Sequence, residues 1–180
     1  MKKAYSIFFL LILIASPLFS QTQKYFFKEI NWQIEIPESW RIDIQVNKTH
    51  PQFLKFFYIK PSDTTINNNI ATADLYKYFP DFNQDWLSSR KAKNDYSTKD
   101  YKFYFPNCQI DTASGTELID GLEFQRFNIK LTTPNGVPFH TIKYSRLFGE
   151  YEFTLNLDFL DEKIGEEFLK MWRTSKFKKP

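Results

Sequence analysis

Apolar and polar residues alternate with period two through much of this chain, the pattern of strands that bury one face. In Trp32-Gln33-Ile34-Glu35-Ile36 every second side chain is apolar, and Pro37-Glu38-Ser39 reads as a turn. Alternation resumes with Trp40, Ile42, Ile44 and Val46 against Arg41, Asp43 and Gln45. An opening strand at 25–27 pairs with 32–36 through a turn near Asn31, and a denser apolar strand over 53–59 ends at Pro61. Residues 62–69, with asparagines at 67, 68 and 69, read as a polar surface loop without structural duty and as the residues best placed to touch a partner. The stretch 71–79 fits either a short helix or a strand, with the balance toward helix. A helix over 81–93 would turn Phe82, Trp86 and Leu87 inward and set Asp85 across the turn from Arg90 and Lys91.

Residues 101–105 alternate aromatic and polar side chains, and Pro106-Asn107 and Ala113-Ser114-Gly115 punctuate the chain. Residues 122–131 alternate strictly, Pro134-Asn135-Gly136 is a hairpin loop, 139–148 return as the partner strand, and Gly149-Glu150 turn again. Tyr151, Phe153, Leu155, Leu157 and Phe159 share one face of the next strand, which makes an antiparallel meander. The period then changes. Leu160, Ile164, Phe168, Met171 and Trp172 form the stripe of an amphipathic helix that packs on the sheet. Asp161 and Glu162 at its start and Lys170 and Arg173 at its end complement the helix dipole. The fold class is therefore α+β: a central antiparallel sheet of about six strands flanked by helices.

The longest apolar run lies at the start. Lys2 and Lys3 precede residues 7–15, Pro17 breaks the run, and Ser20 is a small residue before Gln21. That is the order of a secretory signal peptide over 1–20, cleaved after Ser20. The run is roughly half the ~20 residues a membrane span needs. Leu18, large for the −3 position, leaves an uncut anchor as the alternative. The expected product is residues 21–180, one exported domain, periplasmic or extracellular, without membrane insertion. Removing Lys2 and Lys3 leaves 22 basic against 21 acidic groups, so charge gives no case for nucleic acid. Lys176, Lys178 and Lys179 read as a solvated basic tail. Asn47-Lys48-Thr49 is a formal glycosylation sequon, read as chance because the style of the signal peptide favours a bacterial source. Cys108 is the single cysteine, so no intramolecular disulfide is available and the core must carry stability. Aromatic residues make up 19% of the chain, ample material for that core.

Candidate chemistry is sparse. Cys108 with His140 and Asp111 is the one nucleophilic constellation to name, without a surrounding signature. His50 and His140 are too far apart in sequence for a metal motif, and the five glycines form no phosphate loop. Asp158, Asp161 and Glu162 cluster, with the last two accounted for by helix-start preference. No catalytic, cofactor-binding or metal-binding residue is assigned.

The order of elements carries a resemblance. An early strand leads into Ile36-Pro37-Glu38-Ser39-Trp40, a Gly121-Leu122-Glu123-Phe124 strand entry opens the meander, and the last helix ends in Thr174-Ser175-Lys176-Phe177. This resembles the PsbP/Mog1-like group over residues 25–177, with Ser39 where the group's common version has glycine. The resemblance implies a central antiparallel sheet with helices on both faces. The group is functionally diverse, so the resemblance predicts little about activity. The expectation is a non-enzymatic exported domain that binds or supports another cell-envelope component, an envelope protein or a small ligand. The alternatives are a small hydrolase using Cys108 and His140, or a carrier of an apolar ligand.

Overall fold

The computed structural model describes residues 21–44, 53–61, 68–79 and 85–177. The signal segment with Ser20, the sequon at Asn47, His50, residues 62–67 and 81–84, Lys178 and Lys179 lie outside the described residues.

Ten strands and two long helices form among them. β1 (Thr22–Phe27) and β2 (Trp32–Pro37) make a hairpin whose turn places Asn31 in the left-handed region, and β10 (Lys176–Phe177) adds to β2 as a third strand. The large sheet takes β3 (Arg41–Asp43), β4 (Phe53–Lys60), β5 (Ile70–Lys77), β6 (Gln109–Ile119), β7 (Leu122–Thr132), β8 (Pro138–Phe148) and β9 (Tyr151–Phe159). Its order is β3-β4-β5-β9-β8-β7-β6, antiparallel throughout. The meander of β7, β8 and β9 is as expected, while the sheet has seven strands rather than about six.

α2 (Glu162–Arg173) lies on one face of this sheet and α1 (Trp86–Tyr104) on the other. On the α2 face, Phe153, Leu155, Leu157 and Phe159 of β9 meet Phe168, Met171 and Trp172, and Trp32, Ile34 and Ile36 of β2 close the core. Gly165 is where α2 approaches β9 most closely. A Cβ there would fall inside the van der Waals envelope of the Phe159 ring, which is stacked on His140 and has little room to retreat. Gly165→Ala should therefore destabilise by about 1–3 kcal/mol through overpacking, despite the usual helix preference for alanine. Urea unfolding checks this, and a stabilised variant would show that the ring yields.

Three expectations need correction. Residues 71–77 are strand, not helix, and Tyr78 and Phe79 follow it: β5 pairs with both β4 and β9. Ala71, Ala73 and Leu75 are buried against Thr72, Asp74 and Tyr76 on the other side, a period of two hidden by alanines with little hydrophobic contrast. The helix expected over 81–93 is α1, which runs to Tyr104. Asp85 caps it by accepting from the Ser88 amide at 2.8 Å, Phe105 before Pro106 ends it, and Leu87 faces solvent rather than inward. Residues 101–105 thus close a helix, with Tyr101 and Phe105 stacked one turn apart. Finally, Ala113-Ser114-Gly115 do not interrupt the chain. They lie inside β6, an edge strand with mostly exposed side chains, opposite Asn128, Phe127 and Arg126.

Candidate functional site

Polar residues take the alternate positions of the central strands, and they all face α1. β9 contributes Glu152, Thr154, Asn156 and Asp158, β5 contributes Thr72, Asp74 and Tyr76, and β8 contributes Thr141, Lys143 and Ser145. α1 matches them. It has no apolar stripe, and the residues it buries are Ser89 and Arg90. A charged network joins the two layers. Glu152, fully buried, takes the Arg90 guanidinium on Oε1 and Lys93 Nζ on Oε2 at 3.0 Å. Arg90 also donates to Tyr76 Oη at 3.0 Å. Asn156 Nδ2 donates to Thr72 Oγ1 at 3.3 Å, and Thr141 Oγ1 donates to Asp158 at 2.6 Å.

Burial shifts the ionisation of these groups. It raises the Tyr76 phenol, an effect Arg90 partly offsets, and it raises the Asp158 carboxyl against the pull of Thr141 and Lys143. It lowers the Lys143 ammonium, and the neighbouring Arg90 charge lowers it further while Asp158 acts the other way.

Between α1 and this face lies a cleft of about 590 Å³, within the size range of small-molecule sites. Arg90, Lys93 and Lys143 supply its charge, Tyr76, Thr154 and Asn156 its uncharged polar groups, and Tyr96 stands at its mouth. A second, more apolar groove of about 550 Å³ lies under the C-terminal end of α1, among Ile70, Tyr101, Tyr104, Leu131 and Phe139.

The residues singled out from sequence are dispersed. Asp111 and His140 share a depression of about 340 Å³ on the opposite face of the sheet, with Lys130 paired between them. Burial lowers the His140 imidazole and the Lys130 charge adds to this, against a smaller opposing effect of Glu162. Cys108 is not part of that depression. It precedes β6, its amide bonded to the Phe105 carbonyl at 3.1 Å, and no hydrogen bond joins it to His140. The acidic cluster separates by role. Asp161 caps α2 through the Lys163 amide at 2.8 Å, Glu162 occupies its first turn, and Asp158 faces α1. Asn69 does have a structural duty: it is buried and accepts from the Leu160 amide at 2.9 Å. Lys176 is not simply solvated, since it pairs with Asp120 at 3.1 Å.

Glu117, on the α2 face, is an anchor rather than a reactive carboxylate. It accepts from Tyr144 at 2.6 Å, Arg173 at 2.9 Å and Arg126 at 3.3 Å, tying β6 to β8 and to the end of α2. Burial alone would raise its carboxyl, but these donors outweigh burial and hold it below the usual value of 4.5. A depressed carboxyl contributes stability that is complete above that value and disappears as pH falls through it and then through the folded-state value. Acid titrations of stability should therefore be shallower in Glu117→Gln than in the parent below about pH 5. Parallel curves would show that the network contributes no linkage.

The sequence reading missed the cleft residues because none belongs to a motif. The usable signal was the polar set at alternate positions of 152–158, inside a strand flanked by others on both sides.

No family model matches the chain, and no curated protein matches it. Solved structures do. The cyanobacterial PsbP of Synechocystis sp. PCC 6803 superposes with a TM-score of 0.61 at 10% identity, covering 88% of this chain and 94% of that one. A protein from Bacteroides thetaiotaomicron superposes with a TM-score of 0.51 at 12% identity, covering 88% of this chain and 49% of that one. The chain is similar to both in architecture and has the fold that the PsbP/Mog1-like resemblance implied, with helices on both faces of the sheet.

Proposed function

We propose that this chain is an exported, non-enzymatic domain that binds a component of the cell envelope, and that binding takes place in the cleft between α1 and the sheet. The observation that carries this reading is the cleft itself. A sheet face covered by a helix would ordinarily be apolar. Here it is built from hydroxyl, amide and charged groups that open toward solvent past Lys93 and Tyr96. The aromatic side chain of Tyr96 is largely exposed at the opening. The PsbP-like fold is compatible with a binding role and specifies no partner. The signal-like segment at 1–20 supplies the address, and no helix among the described residues is long and apolar enough to cross a membrane.

Two measurements test this. Fractionation of the native host should recover the chain outside the cytoplasm with Gln21 as its first residue. Recovery from the cytoplasm with residues 1–20 intact would sink the export half. A photoreactive residue at Lys93 or Tyr96 should give a discrete adduct in intact cells that the same residue at Glu166 on α2 does not. Equal yields at the two faces would remove the cleft as the binding site.

A further inference from the structure

We infer that the cleft under α1 binds a small oxyanion, a phosphate- or carboxylate-bearing molecule, with Lys143 as its principal counter-charge. The inference rests on the binding reading above and names the ligand's chemistry. Its first support is the charge balance of the lining: Arg90, Lys93 and Lys143 border the cleft, and no carboxylate does. Of the carboxylates beneath it, Glu152 is already engaged by Arg90 and Lys93, and Asp74 on β5 has a partner of its own. Asp158 is held by Thr141, and burial and the Arg90 charge outweigh its attraction for Lys143. Lys143 is half-buried and forms no salt bridge among the described residues.

The second support is an unmet donor. Arg90 is only 6% exposed, and its terminal nitrogen serves Glu152 and Tyr76, but its Nε–H is buried without an acceptor. A buried guanidinium N–H lacking an acceptor costs free energy, which a bound oxygen removes once Arg90 turns this nitrogen toward the cleft it lines. An oxyanion meets both needs at once, because it supplies several acceptor atoms and the charge that a desolvated ammonium lacks. Thr154, Asn156 and Ser97 add hydrogen-bonding groups around the same space. A cation would meet three positive side chains, and an uncharged apolar molecule would leave Lys143 desolvated and unpaired.

The reading is testable with inorganic phosphate and succinate on the full exported chain, with chloride at matched ionic strength as the control. In protein carrying ¹³C-labelled lysine, one or both anions should shift the Lys143 side-chain resonances saturably and move its titration upward. Arg90 from α1 opposes its charge and Asp158 from β9 favours it, and Lys93 from α1, Tyr76 and Asp74 from β5 and Glu152 from β9 share the same layer. Whichever anion binds identifies the ligand class as phosphate- or carboxylate-bearing. Lys143→Met should fold, because it relieves a desolvated charge, and should weaken binding at least about tenfold. Lys143→Arg should retain binding, and Lys170→Met on α2 should leave it unchanged. Shifts no larger than chloride gives, or parent-like binding by Lys143→Met, would overturn the inference. With the Lys93 adduct still formed, that outcome removes the anion and leaves the cleft as binding site. Phosphate binding without any adduct removes the envelope reading instead.

Discussion

Glu152→Gln is expected to destabilise the protein by about 3–5 kcal/mol, a large share of the roughly 5–15 kcal/mol that typically holds a domain together. Glu152 is fully buried on β9 and its two oxygens serve Arg90 and Lys93. The substitution keeps the shape and removes the charge. Arg90 is itself buried and cannot reach water, so it would be left as an uncompensated cation beside Lys143. Lys93 is 43% exposed and can turn outward, so its share of the loss is small. The loss therefore comes from stranding Arg90, and a second substitution reveals this. In Glu152→Met with Arg90→Met neither member of the pair is left stranded, and much of the lost stability should return. Urea unfolding of the parent, Glu152→Met, Arg90→Met and the double variant gives the coupling directly. A loss below about 1 kcal/mol in Glu152→Gln would mean that water reaches the pair and that the layer is less dry than its geometry indicates.

That polar layer explains why some of this protein was legible in its sequence and some was not. The α2 face is readable because each of its positions behaves as an ordinary core position. The alternation of Phe153, Leu155, Leu157 and Phe159 and the helical stripe of Phe168, Met171 and Trp172 each declare one buried side. The hairpin turns at Asn31, Gly136 and Gly149 are readable for a local reason, since each residue takes a positive φ that its neighbours announce. The α1 face breaks the premise that buried means apolar. β5 is hard to tell from a helix because one of its faces carries alanines and the other carries Thr72, Asp74 and Tyr76, so neither contrast is strong. α1 was cut short because its inner surface holds Ser89 and Arg90 instead of leucines, and no stripe extends through its nineteen residues. The candidate site failed to show for the same reason. Arg90, Lys143 and Glu152 lie in three separate elements, and only the crossing of α1 over β8 and β9 makes them neighbours. Cys108 and His140, conspicuous by residue type, are instead kept on separate parts of the molecule.

Trp32→Ala should have the other large effect, about 3–5 kcal/mol. Trp32 is the side chain at which three layers meet. It stacks on Phe27 at 4.9 Å and on Phe177 at 6.2 Å within the small sheet. It reaches Phe153 at 5.0 Å, Phe57 at 5.3 Å and Phe56 at 5.8 Å in the large sheet, and Trp172 of α2 at 6.1 Å. Its Nε1–H donates to Ser175 Oγ at 3.0 Å, a buried bond that fixes the chain just after α2. Aromatic walls of this size cannot collapse into the space an indole leaves, so the cavity cost adds to the lost burial. The Ser175 hydroxyl, also fully buried, loses its partner as well. The position of the loss is as informative as its size. β1, β2 and β10 are joined to the rest chiefly through Trp32 and its neighbours, whereas β6 to β9 are held by long, continuous ladders. Amide hydrogen exchange in Trp32→Ala should therefore rise first in β2, β10 and the end of α2, while β7 and β8 stay protected. The charged layer under α1 lies on the other face of the sheet, so the Lys143 resonances should hardly move. Uniform acceleration across both sheets would show instead that the two layers unfold as one unit and that Trp32 is not a separable joint.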